Sequence, residues 1–158
     1  MGPTINQFYH FKRIAGPKKI LAFGGWTFST DPATYGIFRA GVLSANRQRM
    51  AQNIANFITS NNLDGVDIDW EYPAAPDLPD IPPADPIEGE NYLQSLTILR
   101  GLLPKEKSVS FAAPASFWYL QGYSIAKIMN LVDYVIYMTY DLHGQLSISG
   151  KTTSCTAR

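Results

Sequence analysis

Four short runs rich in β-branched and aromatic residues, kept apart by stretches of helical periodicity, leave this 158-residue chain little choice of architecture. The runs are Lys19-Ile20-Leu21-Ala22-Phe23, leading into Gly24-Gly25-Trp26; residues 63–71; Val109-Ser110-Phe111-Ala112-Ala113, closed by Pro114; and residues 133–141. Such composition suits strands. Between them, Met50, Ile54, Phe57 and Ile58 recur at helical spacing within residues 46–61. Leu93, Leu96, Leu99 and Leu103 do the same from Asn91 until Pro104 stops the run. A shorter helix is expected over residues 125–130 and another over residues 7–14. Strands alternating with helices imply a parallel sheet, because each parallel return needs a crossover. The expected class is therefore α/β. Residues 73–88 interrupt the rhythm with six prolines. They are expected to form a long loop, either a solvated excursion or a lip over a site.

Within the second strand, Asp67, Asp69 and Glu71 are spaced by two. That period places all three on one face, with Val66, Ile68 and Trp70 on the other, Trp70 packing against a helix. Asp64 lies at the strand's entry. Buried carboxylates are costly unless each has a partner or a proton. Crowding of like charges raises the proton affinity of one member, which is how a carboxyl stays an acid near neutral pH; such a group titrates as a coupled unit. A divalent-cation site of oxygen ligands and a solvent-facing strand edge fit the same spacing. The spacing alone leaves all three open.

Composition narrows the partners. Thirteen basic and thirteen acidic residues cancel, so there is no electrostatic case for nucleic acid or a membrane surface. No run approaches the ~18 apolar residues that would span a bilayer. The first residues have no apolar core of the kind a signal peptide needs. His10 and His143 are too isolated in sequence to argue a metal site, and Cys155 alone forms no intrachain disulfide. Trp26, Trp118 and Tyr119 follow strands and are candidate stacking platforms.

Read as a motif, Asp64-Gly65-Val66-Asp67-Ile68-Asp69-Trp70-Glu71-Tyr72-Pro73 resembles the D-G-x-D-x-D-x-E signature of glycoside hydrolase family 18, the chitinases. Phe23-Gly24-Gly25-Trp26 resembles the family's S-x-G-G strand, and Met138-Thr139-Tyr140-Asp141 its M-x-Y-D strand. The stretch 18–144 is most similar to fungal chitinases related to yeast killer-toxin subunits. The resemblance implies part of a (β/α)8 TIM barrel, roughly strands three to six of eight. It also implies hydrolysis of β-1,4-linked N-acetylglucosamine by a retaining, substrate-assisted mechanism.

In that scheme Glu71 is the proton donor, Asp69 orients the acetamido group, and Asp67 shares a proton with Asp69. Tyr140 and Asp141 hold the acetamido group and the sugar ring. Asp64, Gly24 and Gly25 are supporting residues, and Met138, Trp26, Tyr72 and Trp118 contact substrate. No cofactor and no metal are implied. The partners are chitin or chitooligosaccharides, and the place of action is extracellular or the cell wall. Asp141 has the opposite strand parity from Met138 and Tyr140, so its role requires that the strand has ended or twisted there.

The resemblance divides the chain into residues 1–145, a partial catalytic domain, and an atypical tail over 146–158. Leu146 stands where the family usually has Trp. Four strands of a barrel have two unpaired edges and one uncovered face, which invites self-association. A chitin-binding protein without activity, or an endo-β-N-acetylglucosaminidase, are the alternative readings.

Overall fold

The computed structural model describes residues 3–142. At its centre lies an all-parallel sheet in the order β1 (Ile20–Gly24), β2 (Gly65–Asp69), β3 (Ser108–Pro114) and β4 (Tyr134–Met138). Helix α1 (Pro3–Arg13) precedes β1. Three helices link β1 to β2, namely α2 (Trp26–Thr30), α3 (Gly36–Gly41) and α4 (Arg47–Ser60). Helix α5 (Glu88–Leu102) links β2 to β3, and α6 (Phe117–Leu120) with α7 (Ile125–Ile128) link β3 to β4.

Register assigns every side chain to a face. Ala22 pairs with Asp67, Asp67 with Ser110, and Gly24 with Asp69. Paired residues in neighbouring strands point the same way. One face therefore carries Ala22, Asp67, Asp69, Ser110 and Ala112, the other Phe23, Val66, Ile68, Val109 and Phe111. The second face is the core. Helix α4 turns Ala51, Ile54, Ala55 and Ile58 inward, and α5 turns Tyr92, Leu93, Leu96 and Leu99 inward. These side chains form one cluster with Val66, Ile68, Val109 and Phe111. Each buried Val, Leu, Ile or Phe among them contributes about 1.5–3 kcal/mol. Helix α5 stops because Leu103 is extended (φ −90, ψ 139) ahead of Pro104, whose ring disfavours helical backbone in the residue before it.

Several element limits differ from the sequence expectation. Strand β2 stops at Asp69, so Glu71 lies just beyond it rather than on it. Trp26 opens α2 instead of ending a strand, and α5 begins at Glu88, three residues before Asn91. The fourth strand ends at Met138, and Thr139–Leu142 form a 3-10 turn. That turn removes the parity objection to Asp141.

The proline-rich loop is pinned to the body at several points, although many of its residues are exposed. The Ala74 N–H donates to Glu88 Oε2 at 3.2 Å, and Arg39 Nη1 donates to the Pro82 carbonyl at 2.8 Å. Leu78 is buried. Among the described residues β1 and β4 each have one strand neighbour, and Ile136 and Tyr137 on β4 are exposed. No described helix is long and apolar enough to cross a membrane.

Candidate active site

The acid row sits at the carboxyl end of the sheet. Asp67, inside β2, is buried; Asp69, at its end, is half-buried; Glu71, two residues further, is 7% exposed. The chain reaches Glu71 because Trp70 turns toward the helices. The Trp70 ring stacks on Phe38 of α3 (centroids 5.5 Å apart, 25° between planes) and meets Tyr92 of α5 edge-on. Its carbonyl accepts a 2.8 Å hydrogen bond from the Tyr123 hydroxyl. With Trp70 fixed on one side, its neighbours Asp69 and Glu71 fall on the other.

Two serines complete the frame. Ser110 Oγ donates to Asp67 Oδ1 at 2.7 Å, placed there by the β2–β3 register. The Glu71 N–H donates to Ser29 Oγ at 3.0 Å, delivered by α2. Two glycines let β1 approach this row. Gly24 (φ +122) leaves no room for a Cβ, which would collide with the Asp69 carbonyl. Gly25 (φ +96) donates its N–H to that same carbonyl at 2.7 Å. Only glycine adopts these angles without strain. Asp69 Oδ1 is buried and has no hydrogen-bond partner among the described atoms.

Proton affinity is raised at all three acids. Burial pushes the Asp67 carboxyl above its ordinary value, and the Ser110 hydrogen bond pulls it back in part. Asp69 is pushed up by burial and then by the charge of Asp67. Glu71 is pushed up to about 7, first by burial, then by the charge of Asp69; the Tyr72 hydroxyl opposes this and Asp141 adds to it. A carboxyl that holds its proton near neutral pH can act as a general acid. Among the described residues no group of three or more His, Cys, Asp or Glu side chains is arranged to hold a metal ion.

The other expected site residues divide into two groups. Tyr140 and Asp141 approach the row from the 3-10 turn. The Tyr140 phenol is raised by partial burial and by the charges of Asp141, Glu71 and Asp69. Met138 is buried, level with Pro114 at the end of β3. Tyr72 is buried beside Glu71, and the exposed Trp26 lies against it (centroids 6.4 Å, 57°). Asp64 lies at the opposite end of β2, where Oδ2 accepts the Lys19 N–H at 2.7 Å and so fixes the start of β1. Trp118 faces away from the row, toward the proline-rich loop; its neighbour Tyr119 is the ring that stacks on Tyr72 (4.6 Å, 20°). His143 and the 146–158 tail lie outside the described residues.

Sequence reasoning missed Ser29, Ser110 and Glu88. Ser110 had a signal, because strands paired in register at their acidic and apolar positions set it beside Asp67. Ser29 had none.

Comparison with known proteins agrees with the motif reading. The profile described as "Glycosyl hydrolases family 18" matches residues 4–157. The chain is 61% identical over 139 residues to the secreted chitinase LysM12 of Penicillium expansum, covering 88% of this chain and 9% of that protein. It is 53% identical over 135 residues to the killer toxin subunits alpha/beta of Kluyveromyces lactis, covering 85% of this chain and 12% of that protein. Among solved structures, chitinase ChiA74 from Bacillus thuringiensis superposes with a TM-score of 0.76 at 27% identity, over 91% of this chain and 24% of that one. The chain thus spans about a tenth of these two curated relatives. Its four-stranded sheet corresponds to part of the barrel in the structures it matches.

Proposed function

This chain belongs to glycosyl hydrolases family 18, and from that membership we propose that it hydrolyses β-1,4-linked N-acetylglucosamine polymers with Glu71 as proton donor. The observation that carries the reading is the row Asp67, Asp69, Glu71, in which the outermost carboxyl holds its proton up to about 7. The mechanism is retaining and substrate-assisted. Glu71 gives its proton to the glycosidic oxygen as the bond from that oxygen to the anomeric carbon breaks. The carbonyl oxygen of the substrate's own N-acetyl group attacks the anomeric carbon, forming an oxazolinium ion. Asp69 accepts the acetamide N–H and stabilises the positive charge. Asp67 holds the proton that Asp69 releases or takes up, and Ser110 orients Asp67. Water then adds to the anomeric carbon as its bond to the acetamido oxygen breaks and the N-acetyl group is restored, and the Glu71 carboxylate takes the water's proton, which restores the acid.

Tyr140 and Asp141 hold the acetamido group, and Met138, Tyr72 and Trp26 line the sugar. We assign these roles to residues 1–145. Extracellular action is part of the proposal, supported by a relative named as secreted.

The test is release of the fluorophore from a fluorogenic chitotrioside by the chain and by Glu71→Gln. General acid catalysis contributes on the order of 10²–10⁴-fold, so the variant should lose that much turnover and keep its affinity for sugar. Equal turnover by the two proteins would remove Glu71 from the role. A second reading, sugar binding without cleavage, is favoured by the openness of the β4 side, where Tyr140 is 73% exposed. It predicts affinity for chitooligosaccharides with no turnover by either protein. Release of glycans from a glycoprotein, with chitotrioside untouched, would assign an endo-β-N-acetylglucosaminidase instead.

A further inference from the structure

A carboxylate of the proline-rich loop reaches back toward the acid row. Asp77 lies between Pro76 and Leu78, in a stretch that is well anchored. Ala75 and Leu78 are buried, and the Ala75 carbonyl accepts the Ala84 N–H at 3.0 Å. Glu88 accepts the Ala74 N–H at 3.2 Å and pairs with Arg39 Nε at 3.5 Å, which ties the start of the loop to α3 and α5. Helix α6 is seated as closely. A Cβ on Gly122, two residues beyond it, would collide with the Pro73 carbonyl, and the Tyr123 hydroxyl donates to the Trp70 carbonyl at 2.8 Å. Asp77 joins these two parts. Its Oδ2 accepts the Trp118 indole N–H at 3.1 Å, and its carboxylate is hydrogen-bonded by the Tyr119 hydroxyl. The Tyr119 ring stacks on Tyr72 (centroids 4.6 Å apart, 20° between planes), which Trp26 also contacts. The Tyr72 hydroxyl, in turn, is hydrogen-bonded to the Glu71 carboxyl.

We infer that Asp77 is a positioning residue for the proton donor: through Tyr119 it sets the Tyr72 ring so that the Tyr72 hydroxyl reaches Glu71. Its effect on turnover rests on the role of Glu71 proposed above, whereas its effect on the Glu71 carboxyl does not. Burial, then the charge of Asp69, pushes Glu71 toward its protonated form, and Asp141 adds to this from the 3-10 turn. The Tyr72 hydrogen bond opposes them, because a donor favours the carboxylate. Burial, then the Glu71 charge, holds the Tyr72 phenol far above its ordinary range, so it remains a donor at any pH of interest. The other titratable groups facing Glu71 are the phenols of Tyr140 and Tyr123, each raised first by burial and therefore neutral. The charges that raise Glu71 are those of Asp69 and Asp141, so Asp77 acts through the two rings and not through its own charge. A general acid works best when its pKa lies near the pH of the reaction. Without the Tyr72 donor, Glu71 would hold its proton more tightly and release it to the leaving oxygen less readily.

The experiment follows the Glu71 side-chain carboxyl by carbon-13 NMR across a pH series, the resonance being assigned by its loss in Glu71→Gln. The parent should titrate at about 7. Asp77→Ala should raise that midpoint by about 0.5–1 pH unit, the weight of one hydrogen bond. Tyr119→Phe keeps the stacked ring but loses the tie to Asp77, and should raise it similarly. Tyr72→Phe should raise it at least as far, and in that background Asp77→Ala should add nothing. Asp77→Asn retains an acceptor oxygen for Tyr119 and should keep the midpoint near the parent's. Where the parent cleaves chitotrioside, the alkaline limb of its pH–rate profile should move up together with the carboxyl. A lowered midpoint in Asp77→Ala would mean that Asp77 acts by its charge. An unchanged midpoint with a lower melting temperature would mean that Asp77 supports the loop alone. Either result overturns the brace and leaves the role of Glu71 standing. Absence of turnover by the parent removes that role, and the titration still decides the brace.

Discussion

Replacing Glu71 by Gln should make the fold more resistant to denaturant at alkaline pH, by an amount that the structure sets. Glu71 is 7% exposed, and its carboxyl titrates at about 7 in the fold against an ordinary value of 4.5. Because the folded value is raised, the protonated carboxyl contributes stability in full below about pH 4.5. That contribution is lost as pH rises through about 7. At about 1.4 kcal/mol per pH unit of separation, the loss is about 3 kcal/mol. Gln has nearly the same shape and no charge to desolvate, so the variant does not share it. Asp67 and Asp69 also titrate, and the leading causes of their shifts, burial for both and the charge of Asp67 for Asp69, are present in both proteins. Urea unfolding of both proteins at a series of pH values gives the difference directly. It should favour the variant increasingly from about pH 4.5 to about pH 8 and then level off, with a total change on the order of 3 kcal/mol. Any pH-independent effect of the amide shifts the whole curve and leaves the change intact. A difference that stays flat across this range would mean that Glu71 ionises as it does in water, and the general-acid argument would lose its physical basis.

Asp69→Asn removes the charge that is the second cause of the Glu71 shift, so the alkaline limb of the pH–rate profile should move to lower pH while staying above the ordinary glutamate range, because burial remains. Ser110→Ala deprives the buried Asp67 carboxyl of the hydrogen bond from Ser110 Oγ; denaturant melts at pH 8 should show a loss of about 1–3 kcal/mol. Gly24→Ala combines φ +122 with a collision against the Asp69 carbonyl, so the loss should exceed ~1 kcal/mol in thermal melts, and turnover should fall with it because Asp69 must shift.

The face assignment of the acids was legible in the sequence because period two is a local property of a strand. Asp67 and Asp69 needed nothing else, and the same period put Trp70 among the helices. What the sequence hid depends on distance along the chain. Ser110 meets Asp67 only through the pairing of β2 with β3, forty-three residues apart. Ser29 arrives on a five-residue helix, too short for any periodicity, whose residues Trp26-Thr27-Phe28-Ser29-Thr30 look more like a strand than a helix. Trp118 and Tyr119 are consecutive, so no spacing argument separates the ring that reaches the acid row from the ring that does not. Only the loop carboxylate of Asp77 and the partner Tyr72 decide that.

The two halves of β2 also explain how the site is sustained. An acid row destabilises the strand that carries it, and Glu71 alone withholds about 3 kcal/mol above neutral pH. On the other side of the same segment, Val66, Ile68 and Trp70 are each at most 3% exposed. At about 1.5–3 kcal/mol per buried side chain, they contribute roughly twice what Glu71 withholds. The strand therefore tolerates its acids only while α3, α4 and α5 cover its apolar side. Loosening the Trp70 contacts with Phe38 and Tyr92 would act on the acids as well, since the residue that anchors the helix side lies between Asp69 and Glu71. Trp70→Phe should then lower Glu71's proton affinity by admitting water, and move the alkaline limb of activity to lower pH without touching a single group that contacts substrate. An unchanged limb with a lowered melting temperature would show that the helix side stabilises the fold but does not tune the acid.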